Sequence, residues 1–490
     1  MKRIVNYLIA ALLMLACAGN LSAEESPAQP RALEPAPLFQ NGMVLQQQSN
    51  APVWGWAEPG TAISVQGSWQ AEPVTATTDA GGKWMVRIPT PAAGGPHTLT
   101  IAGVKTITLT DVLIGEVWLC GGQSNMAMIF YLSRQRPGGI MELKIVNHEA
   151  ELQNLIYPEI REFRTRRAQP VDDTTPQTRL RNPGWVSSTK MGNALRAVPY
   201  FFGRQLHQTL KVPIGLIVNA EPGTNIETWT NPAGFASVPQ LNAPENMAIP
   251  SGGQRRSSHY NIVVHPLIPY AIRGTIWYQG ESNIGDHMIY KDKMRALING
   301  WRSEWAQGDF PFYYVQLTPW RSRVPLGLPK IWEAQAAALA IPKTGLIPTS
   351  DTSDMELHPA NKQDIGIRLG NMALAKTYGH KDIVCEGPRF SSMKREGKSL
   401  VITFDTGGGK LASREDKPLS HFIIAGADRA FVPATAVISS DNTVTVTCDQ
   451  VTEPAAVRFG WENEAQPNVM NSAGLPAYPF RTDDWHLEAE

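Results

Sequence analysis

Cysteine is scarce in this chain, with four in 490 residues. That excludes a scaffold held together mainly by disulfides. Cys17 lies in an N-terminal apolar run, which leaves Cys120, Cys385 and Cys448, an odd number. Cys120 reads as a small buried filler, and a Cys385–Cys448 bridge is left open by the sequence. No Cys/His spacing suits zinc, and no His-Glu-x-x-His occurs, so no metal is expected. An excess of one charge is also lacking. Lys and Arg number 44, Asp and Glu 44, for a formal net charge of zero. Nothing electrostatic therefore calls for nucleic acid or an anionic membrane as partner. Beyond the N-terminus no apolar run is long enough to span a bilayer. There is no internal repeat.

What is present describes a globular, multidomain protein. Hydrophobic residues make up 42% and charged residues 18%, and the length calls for two or three domains. The fourteen tryptophans read first as core, although the flat indole face also suits a sugar ring. The N-terminus has the form of a secretion signal. Lys2 and Arg3 precede the apolar run Ile4 to Ala18, and Leu21-Ser22-Ala23 offers a small-residue cleavage site. Residues 1–23 are thus expected to be removed and the mature chain to be secreted or periplasmic. A lipid anchor on Cys17 is the weaker alternative, because Met14-Leu15-Ala16 fits a lipobox poorly.

The organisation changes along the chain. Residues 24–37, rich in Pro, Ala and Glu, read as a linker. Residues 38–111 alternate short apolar runs with turn clusters such as Glu58-Pro59-Gly60, the pattern of a small β sandwich or barrel. Residues 112–387 alternate apolar strands with helical stretches, which predicts a parallel sheet with helices on both faces. The β pattern returns over 388–490, and these strands are expected to pack with the N-terminal β domain.

Open α/β sheets place ligands at the carboxyl ends of their strands. Four such ends here are polar and rich in turn residues. Val117 to Cys120 leads into Gly121-Gly122-Gln123-Ser124-Asn125-Met126. Leu216 to Val218 leads into Asn219 to Asn225, Thr275 to Tyr278 into Gln279-Gly280-Glu281-Ser282-Asn283, and Gly345 to Ile347 into Asp351 to Pro359. A serine in a tight strand-to-helix turn exposes its hydroxyl and frees N–H groups for an oxyanion, so Ser124 is the candidate nucleophile. It needs a base, and His358 is the best placed. Asp351, Asp354 and Glu356 lie close enough in sequence to orient that histidine. The Ser124 N–H, the Gly223 N–H and the Gln279 amide are the candidate oxyanion donors.

Taken together, these blocks resemble the SGNH-type hydrolases, and more closely the sialate O-acetylesterase family with its acetylxylan-esterase relatives. The resemblance rests on Gly115 to Met126, Trp277 to Asn283, and His358-Pro359 with Asn361-Lys362-Gln363. Upstream it rests on Met43 to Gln46 and Val53 to Ala57, and near the end on Gly474 to Ala477 and Pro479 to Thr482. It implies a three-layer α/β/α catalytic domain and a serine esterase that removes O-acetyl groups from a glycan without a cofactor. Asn125, Glu281 and Asn283 would bind or orient substrate. The general pattern has an aspartate three residues before the histidine, where this chain has Met355. The triad acid is then Asp354 or Glu356, or the pair works as a dyad assisted by a backbone carbonyl. Sialate as the sugar would call for a cation near its carboxylate, for which Arg255, Arg256 and Arg321 are candidates.

Overall fold

The computed structural model describes residues 32–136, 139–165, 173–180, 184–243 and 253–485. The expected leader, Cys17 and most of the linker lie outside them. The end of the expected linker is not free chain. Glu34–Pro35 pairs with Trp56 and Gly55, and Leu33 and Ala36 are buried in the core.

The architecture is built on one 17-residue strand, Thr106–Gly122. Its first half belongs to the β module, antiparallel to Gly94–Ala102 and parallel to Val44–Gln46. Its second half is the centre of the catalytic sheet, parallel to Ile214–Ala220 on one side and Gly274–Tyr278 on the other. A domain boundary at 111/112 therefore falls inside a strand. What marks it is a kink: Asp111 has φ +56°, a left-handed conformation uncommon for non-glycine residues. Arg161 holds that point, donating to the Asp111 carbonyl at 2.6 Å and to its carboxylate at 2.8 Å.

The catalytic sheet runs Gly184–Ser187, Ile160–Arg164, Ile214–Ala220, Thr106–Gly122, Gly274–Tyr278, Phe312–Val315, Thr344–Ile347. All neighbours are parallel except the antiparallel edge strand Gly184–Ser187. The inner strands are buried along their length, as a sheet covered on both faces requires. One face carries Trp118 and Tyr313, stacked on each other, with Phe202 of the helix Ala197–Leu210 set edge-on to Trp118. The opposite face carries Trp277 and Phe312, against Trp301 of the helix Ile289–Trp305. This is the expected three-layer α/β/α arrangement.

The C-terminal strands form small antiparallel sheets around their own core, including Leu400, Ile402, Val444, Val446 and Phe459. They dock on the catalytic domain rather than on the N-terminal β module. Arg481 pairs with Glu333 at 2.9 Å, Asn463 accepts from Leu328 N–H at 2.9 Å, and the Tyr478 hydroxyl donates to the Leu346 carbonyl. Among the described residues no shared strand, hydrogen bond or ion pair joins 388–485 to 38–111, which corrects the expected packing. Cys120, Cys385 and Cys448 are all free thiols, so the open question of a bridge closes in the negative.

Candidate active site

The turn that carries Ser124 is built by close approach. Gly122 has φ +142°, and a Cβ there would lie 2.2 Å from the Tyr278 carbonyl oxygen. Only glycine fits that contact. Gln123 then ties the turn to the neighbouring loop. Its N–H donates to the Tyr278 carbonyl at 3.0 Å, and its side-chain Oε1 accepts from Gly280 and Ser282 N–H at 3.4 and 3.3 Å. Ser124 opens a short helix, Ser124–Ala127. First-turn N–H groups have no intrahelical acceptor, so the Ser124 N–H is available to a ligand. The Gly223 N–H likewise has no acceptor among the described residues. Gln254 fixes that loop, donating to the Gly223 carbonyl at 2.7 Å and accepting from Asn225 N–H at 3.1 Å.

His358 sits partly buried at the edge of an open cleft of about 310 Å³, lined also by Met128, Glu142, Lys144, Asp354 and Glu356. Neither the His358 ring nor the Ser124 hydroxyl has a hydrogen-bond partner among the described residues. Their loops are nonetheless bound together one residue away. Asn125 Nδ2 donates to the Leu357 carbonyl at 3.0 Å, so the neighbours of Ser124 and His358 are joined directly. Burial, and then the nearby Lys362 cation, lower the His358 pKa below its ordinary value of 6.5.

The three acids near His358 are disposed differently. Asp351 makes a two-pronged pair with Arg368 at 2.7 and 2.6 Å. Asp354 accepts from the N–H groups of Glu356 at 3.1 Å and Ala360 at 2.9 Å, which shapes the loop. Glu356 is exposed on the same cleft as the ring. None of the three bonds to the imidazole in this structure. Between them Met355 has φ +64°, a strained conformation for a long side chain. Ser353 Oγ holds it, accepting from Met355 N–H at 2.9 Å and donating to the Pro319 carbonyl at 2.6 Å.

Three expected roles do not fit the geometry. Gln279 is buried, and its amide donates to the Thr224 carbonyl at 3.0 Å and to Asn283 Oδ1 at 2.7 Å. Both its N–H groups are engaged, so it braces the loop that carries Gly223 and Thr224 and has none left for an oxyanion. Asn283 is buried as well. It accepts from Ile226 N–H at 2.9 Å and donates to Glu227 at 3.0 Å and Asp286 at 2.7 Å. Asn125 is fully committed too, to Leu357, Glu281 and Lys362. Asn283 and Asn125 are thus bound into the framework of the loops. Glu281 is held by Asn125, while its second carboxyl oxygen, Oε2, is buried with no partner among the described residues. Burial raises its pKa, and the Asn125 hydrogen bond and Lys362 oppose that.

Lys362 follows His358 by four residues, and the sequence reading gives it no role. It is fully buried, and its ammonium donates to Asn125 Oδ1 at 2.7 Å. A signal for it exists in the sequence. Lys362 is the first residue of the helix Lys362–Lys376, capped by Asn361 accepting from Asp364 N–H at 3.2 Å. A cation at the positive end of a helix is misplaced for helix stability. The second missed feature is a buried ionic cluster under the loops. Lys293 pairs with Glu227 at 2.6 Å and Asp286 at 2.7 Å, beside Tyr290, whose hydroxyl donates to Gln279 Oε1 at 2.8 Å.

Two of the three candidate sialate cations are engaged elsewhere, and the third is exposed. Arg255 pairs with Asp173. Arg256 donates to the Leu241 carbonyl and lies over Phe235. Arg321 is exposed, 3.8 Å from Glu464. Among the described residues no group of three or more His, Cys, Asp or Glu is arranged to hold a metal.

The α/β/α fold and its polar strand-end loops suit a hydrolase, and comparison with known proteins identifies it as a carbohydrate esterase. Residues 114–379 match the family described as carbohydrate esterase, sialic acid-specific acetylesterase, and the chain belongs to that family. It is 28% identical to human sialate O-acetylesterase over 498 residues, covering 91% of each chain. It is 29% identical to the mouse sialate O-acetylesterase, covering 91% of this chain and 93% of that one. Among solved structures it resembles a carbohydrate acetylesterase from Xanthomonas citri, at 33% identity and TM-score 0.82. That match covers 92% of this chain and all of the other.

Proposed function

We propose that this esterase removes O-acetyl groups from a glycan through an acyl-enzyme on Ser124, and that O-acetylated sialic acid is its substrate. The observation that carries the reading is the Asn125 bridge. It joins the serine turn to the histidine loop at the carboxyl end of the parallel sheet. In the first half-reaction Ser124 Oγ attacks the acetyl carbonyl carbon while His358 accepts the hydroxyl proton. The Ser124 and Gly223 N–H groups face the oxyanion, where one such donor is worth about 3 kcal/mol. Collapse breaks the bond to the sugar oxygen, which takes the proton from His358. Water then attacks the acyl-enzyme with His358 as base, releasing acetate and restoring Ser124. Glu356, exposed on the same cleft, is the acid best placed to reach the imidazolium as it forms; Asp354 is bound to backbone N–H groups.

A second reading, an uncharged acetylated glycan such as xylan, is favoured by the cleft itself. Glu142, Asp354 and Glu356 line it against one lysine, Lys144, and like charge disfavours a sialate carboxylate. Acetate release from O-acetylated sialic acid and from acetylated xylan, compared at equal acetyl concentration, decides between them. Faster turnover of the sialate ester is expected, and turnover of xylan alone would overturn the sialate assignment. Export with cleavage after Ala23 is part of the proposal. The intact mass of the mature protein, beginning at Glu24, tests it.

A further inference from the structure

We propose that Lys362 is a positioning residue for acyl transfer, fixing the Asn125 amide between the serine and histidine loops and supplying a buried positive charge beside His358. This rests on the serine–histidine reading above. The geometry leaves Asn125 one orientation. Its Oδ1 receives the Lys362 ammonium, so Nδ2 must face Glu281 and the Leu357 carbonyl. Reversing the amide would set two donors against each other and an oxygen against two acceptors. Lys362 thus sets the link on which the spacing of Ser124 and His358 depends. A misplacement of about 1 Å in such a link costs roughly 100-fold in rate.

The charged surroundings are specific. Lys362 faces Glu281 and the Tyr278 ring, 5.7 Å from its ammonium, from the loop after Gly274–Tyr278, and Asp354 from the histidine loop. His358 feels the charge of Lys362 on the following helix, and shares its cleft with Asp354 and Glu356 of its own loop and with Glu142 and Lys144. Burial pulls the Lys362 pKa down to about 7, with Glu281 and Asp354 opposing the fall. The ammonium disfavours a second positive charge on His358 and so keeps the ring in its proton-accepting form. A lysine that served only to fill space would not do this.

The test is the pH profile of kcat/KM for 4-nitrophenyl acetate in the full chain. Wild type, Lys362→Met and Lys362→Gln are compared, with folding checked by circular dichroism. Lys362→Met removes donor and charge; Lys362→Gln keeps a donor for Asn125 Oδ1 and removes only the charge. Both variants are expected to move the acidic limb to higher pH. Lys362→Met should lose about 10-fold or more in kcat, and Lys362→Gln should recover part of it. If Lys362→Met does not fold, Lys362→Gln carries the test. An acidic limb that stays in place in a folded variant overturns the proposal, whatever the fall in kcat, because a structural role alone gives that result. Ser124→Ala separates the two readings. Should it retain wild-type activity, the serine mechanism itself fails, whereas an inactive Ser124→Ala with unmoved limbs refutes only the role of Lys362.

Discussion

At the scale of single residues, the loops of the site depend on buried side chains beneath them. Lys293 lies between the Glu227 and Asp286 carboxylates beneath the loops that carry Gln279 and Gly223. Burial already raises the Asp286 pKa, and the Lys293 cation opposes this most. Lys293→Met leaves two buried carboxylates facing each other and is expected to cost about 3–5 kcal/mol in urea unfolding. A carboxyl with a raised native pKa, as Asp286 has, binds its proton better folded than unfolded, so its contribution to stability falls as pH rises. The deficit of the variant should therefore be larger at pH 7 than at pH 5. His358 makes a second prediction. In the proposed mechanism its neutral form accepts the proton, and its pKa is lowered, so activity is expected to fall as pH drops through that lowered value. The acidic limb of kcat/KM should lie below the ordinary histidine value of about 6.5, and a limb above it contradicts the assigned environment. The loops that carry Ser124 and His358 were legible in the sequence because polar, turn-rich strand ends stand out from the apolar runs before them. The engagement of Gln279, Asn125 and Asn283 was not, since a motif names a residue without saying which partners occupy its hydrogen bonds.

At the scale of elements, the strand Thr106–Gly122 carries most of the account. Its apolar end was legible as the strand before Ser124, and its outer end as part of the β module. Their continuity was not, because the left-handed residue Asp111 interrupts the alternation without ending the strand. The central strand of the catalytic sheet is thus also a strand of the β module. Deleting residues 38–111 is expected to prevent folding of the catalytic domain, which would otherwise start on a strand stripped of half its partners. Far-ultraviolet circular dichroism and solubility of the truncated chain check this; a soluble, cooperatively unfolding 112–485 fragment would contradict it. The helix Lys362–Lys376 teaches the complementary lesson. Its cap at Asn361 was conventional, and the lysine next to it was the anomaly that marked the site.

At the scale of the whole molecule, the α/β/α catalytic domain and flanking β segments were legible from the change of rhythm near residues 112 and 388. The docking of the C-terminal strands was not. Chain-end proximity is a general tendency, whereas the actual contacts depend on Arg481, Asn463 and Tyr478 meeting partners on the catalytic domain. Family membership accounts for an esterase fold, and the proposed mechanism assigns its chemistry to Ser124. That assignment is tested most directly by treating the full-length mature protein with a fluorophosphonate and locating the adduct by peptide mass mapping. A single adduct on Ser124, forming in step with loss of acetylesterase activity, is predicted. Loss of activity with Ser124 unmodified, or an adduct on another residue, would contradict it.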